Sequence, residues 1–142
     1  MIIKYYQPFI QCLILFIFSS YAPQVQAQSC KAKSFEAFFR NFTESLEMQQ
    51  VCTRFPLETL TLVETQDDLS PKTQRLFSNQ IHYPLILNIK SRQEQNISLK
   101  IQIINENKVK VTLYKPDSSY QIKYQFLKQS NWQLIKIEDW SV

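Results

Sequence analysis

His82 is the only histidine of the chain. An imidazole base would have to be built on it alone, and Cys/His zinc sites or a His-paired metal helix, which need further ligands at set spacing, are excluded. Followed by Tyr83 and Pro84, it reads as a turn or surface residue. Cys30 and Cys52 leave three chemistries open. They can pair in an oxidising compartment. Cys30 can carry a lipid, although Ala27-Gln28-Ser29 ahead of it matches a lipobox poorly. Cys52, two residues from Arg54, can be a thiol activated by a neighbouring cation. Asp67-Asp68 could hold a cation, but the ladder of further oxygen ligands is missing, and a solvated turn is expected there. Tyr114, Tyr120 and Tyr124 with Asp117, Glu138 and Asp139 could supply an acid–base pair, which would need a buried carboxylate with a raised pKa. Alternation sets Tyr120 and Tyr124 on an apolar face while the acids fall at turns and the chain end, which argues against that pair. The chain has no glycine, so phosphate-cradling loops, dinucleotide fingerprints and the nucleophile elbow are excluded, each needing glycine for positive φ or close approach.

The elements that must position these groups are legible as periodicities. Ser34 can cap a helix, and Phe35, Phe38, Phe39, Phe42 and Leu46 then form one apolar stripe opposite Glu36, Arg40, Glu44 and Glu47. That predicts a helix over about 34–49, ending before Arg54-Phe55-Pro56. Such a rod separates the cysteines by roughly 24 Å, and the connecting residues reach about as far when extended, so a bridge is just possible. A strand is expected over 57–65, with Leu60 and Leu62 on one side and Thr59 and Thr61 on the other. Ser70-Pro71 reads as the start of a short helix towards Phe77. Residues 83–89 read as a strand led by an edge proline or as a loop. From Ile97 the period becomes two. Ile97, Leu99, Ile101 and Ile103 form one strand, Val109, Val111 and Leu113 the next, then Tyr120, Ile122, Tyr124 and Phe126, and last Trp132 to Trp140. Asn105 to Asn107 is a turn in which asparagine would accept positive φ. Helices followed by an antiparallel meander with one wet and one buried face define an α+β domain.

On the wet face, Lys100, Lys108, Lys110 and Lys123 alternate with core positions beside Gln102, Gln121 and Gln125. This is either a solubilising surface or a docking surface for an acidic protein or an anionic envelope polymer. On the dry side, Phe38, Phe39, Phe42, Tyr120, Tyr124 and Trp132 are candidates for the core or for a ligand pocket.

The N-terminal segment reads differently. Lys4 precedes an apolar run, Cys12 to Phe18, extended forward by Phe9 and Ile10, and a Val25-Gln26-Ala27 site follows. Positive charge, short apolar stretch and small-residue cleavage site are the parts of a secretory signal. The run is too short for a transmembrane helix of about 20 residues. Residues 1–27 are therefore expected to be a cleavable signal, and 28–142 a single domain with no stable membrane span. Losing Lys4 takes the net charge from +4 to +3, a mild bias that carries no nucleic-acid footprint.

Taken with their order, Ser34-Phe35, Phe38-Phe39 and Phe42, Arg54-Phe55-Pro56-Leu57, Tyr83-Pro84-Leu85 and the closing Trp132, Leu134, Ile137 and Asp139 resemble the nuclear transport factor 2-like (cystatin-like) superfamily. Within it they resemble an exported bacterial family of unknown function. The resemblance implies N-terminal helices packed into a curved antiparallel sheet, a cone-like, cystatin-like roll. Some members of the superfamily are isomerases or dehydratases, and many are binding modules; no catalytic motif is matched here. The resulting expectation is a periplasmic or secreted, non-enzymatic binding domain with a protein partner in the cell envelope, without metal or cofactor. An immunity or inhibitor protein against an envelope-acting effector or hydrolase is its narrower form. The alternative is a small-ligand carrier or a cone-type isomerase or dehydratase.

Overall fold

Ser34 opens the first helix of the computed structural model, which describes residues 30–66 and 68–142. Its Oγ accepts from the Ala37 N–H at 3.2 Å, satisfying one of the free donors of helix α1, Phe35–Glu44. The expected signal segment, 1–27, and Asp67 of the expected turn lie outside the described residues.

The helix expected to run to residue 49 breaks at Ser45, whose backbone is extended. Ser45 caps a second helix, α2, Leu46–Val51, through its Oγ and the Met48 N–H. The break ends the apolar stripe at Phe42. Leu46, expected to extend it, is 53% exposed. It also turns the chain back on itself, so Cys30 and Cys52 meet in a disulfide with their Cα atoms 5.6 Å apart. With both sulfurs in the bridge, neither the lipid-bearing Cys30 nor the activated Cys52 thiol stands.

Six strands form one sheet in the order β2-β1-β6-β5-β4-β3. They are β1 Thr53–Glu64, β2 Leu69–Leu76, β3 Ser98–Asn105, β4 Lys108–Tyr114, β5 Gln121–Lys128 and β6 Trp132–Asp139. Every pair is antiparallel except β1 with β6, which run parallel. The sheet expected to be antiparallel throughout is thus mixed, because β1 enters beside the last strand of the meander rather than through a hairpin. Both cysteines help to set that junction: the Cys30 carbonyl accepts from Trp132 N–H and the Cys52 carbonyl from Leu134 N–H.

The helix expected at Ser70-Pro71 is instead strand β2, paired residue by residue with β1 from Leu57–Leu76 to Glu64–Leu69. Pro71 sits on an edge strand, where its missing N–H is tolerated. Pairing with β1 overrides a local helix signal. Within β1 the threonine side of the expected alternation is the one that faces the core at Thr59. Leu57 is fully buried, and parity then puts Thr59 on the same inward side, 7% exposed, while Leu60 faces out. In β6, Gln125 pairs with Lys136 but Phe126 with Leu134, so Ile135 is the extra residue of a bulge. That bulge lets consecutive Leu134 and Ile135 coexist with inward Ile137.

Residues 83–88 are a loop, followed by a helix the sequence reading lacked, α3, Ile89–Glu94, capped by Asn88 through the Ser91 N–H at 2.9 Å. Positive φ occurs at Asn96 and Asp117 and not at the Asn105–Asn107 turn. Among the described residues no helix is long and apolar enough to cross a membrane.

The core lies between α1 and the inner sheet face. Phe42 meets Phe126 edge-on at 5.4 Å between ring centroids, and Phe35 meets Trp132 at 5.0 Å. Such contacts add about 0.5–1.5 kcal/mol each beyond area burial.

Candidate functional site

Strand parity builds the outer face. In β4, Val109, Val111 and Leu113 are buried and the residues between them face out. Register then lines up Lys100, Thr112 and Lys123 in one row across three strands, with Gln102 beside Lys110 and Tyr114 beside Gln121 in the rows on either side. These seven side chains surround one shallow depression of about 470 Å³, and no carboxylate lines it. The structure thus brings together five of the seven residues expected for this face, Lys100, Lys110, Lys123, Gln102 and Gln121, while Gln125 is bonded to Glu138 outside the depression. It adds Thr112 and Tyr114, which the same parity would have supplied. Lys108 does not join them. It stands at the turn end of β4, paired across with Leu127.

The acids of this face are engaged elsewhere. Lys136 Nζ lies 2.8 Å from Glu58 Oε1 and 3.1 Å from Glu138 Oε1, and Gln125 donates to Glu138 at 3.3 Å. Burial pushes the Glu138 carboxyl up, but Lys136 foremost, with Trp140 and Lys110 behind it, outweighs that, and the group sits below the usual carboxylate value. Lys136 is raised in turn by its hydrogen bonds to Glu58 and Glu138. Among the described residues no ion pair involves Lys100, Lys110 or Lys123, and Lys123 Nζ lies 5.3 Å from the centre of the Trp140 ring. Glu138, across from Lys123 on β6, acts on Lys110 only at longer range, and the lining of the depression itself is positive.

The dry-side candidates divide differently. Phe38, Phe39 and Phe42 pack ring against ring with Phe126, Trp132 packs against Phe38, and together they fill the space beneath the sheet. Tyr124 is buried with them, and its hydroxyl donates to the Leu85 carbonyl at 3.0 Å. Burial drives its phenol far above the ordinary tyrosine value. Tyr120 is half-buried and also raised, by burial first and by Asp139 second. Asp139 Oδ1 accepts from Ser141 N–H. Asp139 is the carboxylate that acts on both Tyr120 and Tyr124, but it is only half-buried, and among the described residues no aspartate or glutamate is buried as that acid–base pair would need. His82 is exposed, and no group of His, Cys, Asp or Glu among the described residues is placed to hold a metal ion.

Sequence reading missed Gln49, fully buried and bonded to the 85–86 backbone, and Arg92, buried at α3. The Asn88 cap three residues before Ser91 was the one local signal for α3.

Helices α1 to α3 against a curved mixed sheet in this strand order make an NTF2-like α+β fold. A solved structure of an NTF2-like protein from Bacteroides fragilis matches it with a TM-score of 0.57 and 24% identity, over 79% of this chain and 49% of that one. The chain spans about half the length of that relative, and at this identity the likeness is one of fold. No family model and no curated protein matches the sequence.

Proposed function

We propose that this chain is an exported, non-enzymatic binding domain of the periplasm or extracellular space. It docks an acidic protein of the cell envelope on the outer face of its sheet. One observation carries the reading: three lysines from three adjacent strands converge on a single depression whose neighbouring carboxylates are already held by Lys136. Lysines scattered for solubility need no such convergence, and a like-signed concavity concentrates its field on a partner of opposite charge. Gln102, Gln121, Thr112 and Tyr114 add hydrogen-bonding groups around the charge, as a specific interface requires. Inhibition of an envelope-acting effector or hydrolase is the narrower form of this reading; a single small domain with an accessible sheet face suits it.

The test is affinity capture from the native envelope fraction with the wild-type domain and with the triple variant Lys100→Glu/Lys110→Glu/Lys123→Glu. A stoichiometric acidic partner that is held by the wild type, released by salt and lost from the variant supports the reading. A partner held equally by both sinks the assignment of this face.

A further inference from the structure

A second concavity lies on the other side of the sheet and owes nothing to the lysine face. It is an open groove of about 400 Å³ between α1, α3 and β3. Phe39, Leu99, Ile101 and Ile89 make its walls apolar, and its charged lining is Arg92 and Arg40 with Glu36 and Glu44. Both its size and this mixture suit a small molecule.

Arg92 is the unusual member. It is only 8% exposed, and a guanidinium has five N–H donors. Among the described residues one acceptor is found for it, the Leu87 carbonyl, bonded to Nη1. No carboxylate of the described residues comes within ion-pair distance. Glu44 acts on it only at longer range; its Oε1 accepts from the Ile89 N–H at 3.2 Å and so serves the start of α3. Burying a cation without a counter-charge in direct contact is costly. A fold that places one beside an apolar groove has prepared it for an anion arriving with an apolar body.

We propose that this groove binds a small amphipathic carboxylate, with the carboxylate on Arg92 and the hydrocarbon along Phe39, Leu99 and Ile101. A planar carboxylate can accept two parallel N–H bonds from guanidinium, which a lone hydroxyl cannot.

Octanoate is the probe and octan-1-ol its uncharged control, each titrated calorimetrically into the purified domain. Octanoate binds the wild type more tightly than the alcohol. Arg92→Met weakens octanoate about tenfold or more and leaves the alcohol unchanged. Because Arg92 also holds Leu87, a second variant, Ile101→Trp, blocks the groove while leaving the charge in place, and it too loses octanoate. Retention of wild-type octanoate affinity by folded Ile101→Trp overturns the assignment. So does equal binding of acid and alcohol, or no binding of octanoate by the wild type. The lysine-face triple variant retains octanoate binding, which separates this site from the docking surface.

Discussion

Gln49 and Ile86 are joined in both directions: the Gln49 Nε2 donates to the Ile86 carbonyl at 2.9 Å, and its Oε1 accepts from the Ile86 N–H at 3.2 Å. Oε1 also accepts from the Leu85 N–H at 2.6 Å. One fully buried amide on α2 thus satisfies three main-chain groups of the loop that leads into α3. Gln49→Leu keeps the volume but strands those groups without partners, at about 1–3 kcal/mol for each buried group left unsatisfied. Urea denaturation is expected to show a loss of about 3 kcal/mol. A loss under 1 kcal/mol would mean that the loop finds water instead.

The Cys30–Cys52 bridge closes a loop of 22 residues. Constraining a loop of that size in the unfolded chain stabilises the fold by about 3 kcal/mol. The double variant Cys30→Ser/Cys52→Ser should lose that amount in denaturant. The bridged residues also supply the carbonyls that receive Trp132 and Leu134, so amide exchange at those two positions should accelerate first. Unchanged protection there would show that β6 is held without the bridge.

Helix α1 makes the sharpest contrast available by substitution. Phe38→Ala empties a fully buried site touching Phe35, Phe42, Phe126 and Trp132, and should cost about 3–5 kcal/mol. Leu46→Ala, four residues after Phe42 in the same periodic pattern, should cost under about 0.5 kcal/mol, because the break at Ser45 turns it to solvent. Comparable losses at the two positions would restore the continuous helix that the spacing alone predicts.

That contrast also shows where sequence reasoning stops. The alternation of Val109, Val111 and Leu113, and of Tyr124 and Phe126, was legible because one face of these strands is wet and the other dry. The phenylalanine stripe was legible for the same reason, as far as Phe42. Leu46 continues the period by coincidence, and nothing local distinguishes a serine that interrupts a helix from one on its surface. Ser70-Pro71 has the chemistry of a helix start, yet partner strand β1 decides its conformation. The parallel β1–β6 pair and the Ile135 bulge are non-local choices that no window of sequence contains. At the lysine face, parity was enough to group Lys100, Lys110 and Lys123. Separating Lys108 from them required knowing where the turn lies along the depression. Arg92 was illegible because its meaning is its burial, and its burial is set by α1 and β3.

The Lys136 cluster predicts how stability follows pH. The Glu138 carboxyl is held below its ordinary value of 4.5. A carboxylate depressed in the folded state contributes stability that is complete above the unfolded pKa and disappears as pH falls through the folded one. Lys136 is raised above its ordinary 10.5, so its contribution is complete below that value and disappears as pH rises through the folded pKa. Stability should therefore hold level across neutral pH, declining below about 4.5 and again above about 10.5. Glu138→Gln should lower the melting temperature at pH 7 and flatten the acid decline. The decline will not vanish, because Glu36, lowered by its own backbone N–H and by Ser34 at the start of α1, still titrates there. Lys136→Met removes the common partner of Glu58 and Glu138 and should flatten both limbs. Melting curves from pH 2 to 11 distinguish these outcomes. If the acid limb of Glu138→Gln parallels that of the wild type, the ion-pair cluster contributes nothing to folding, and the acids of the outer face are then free to offset the lysines beside them.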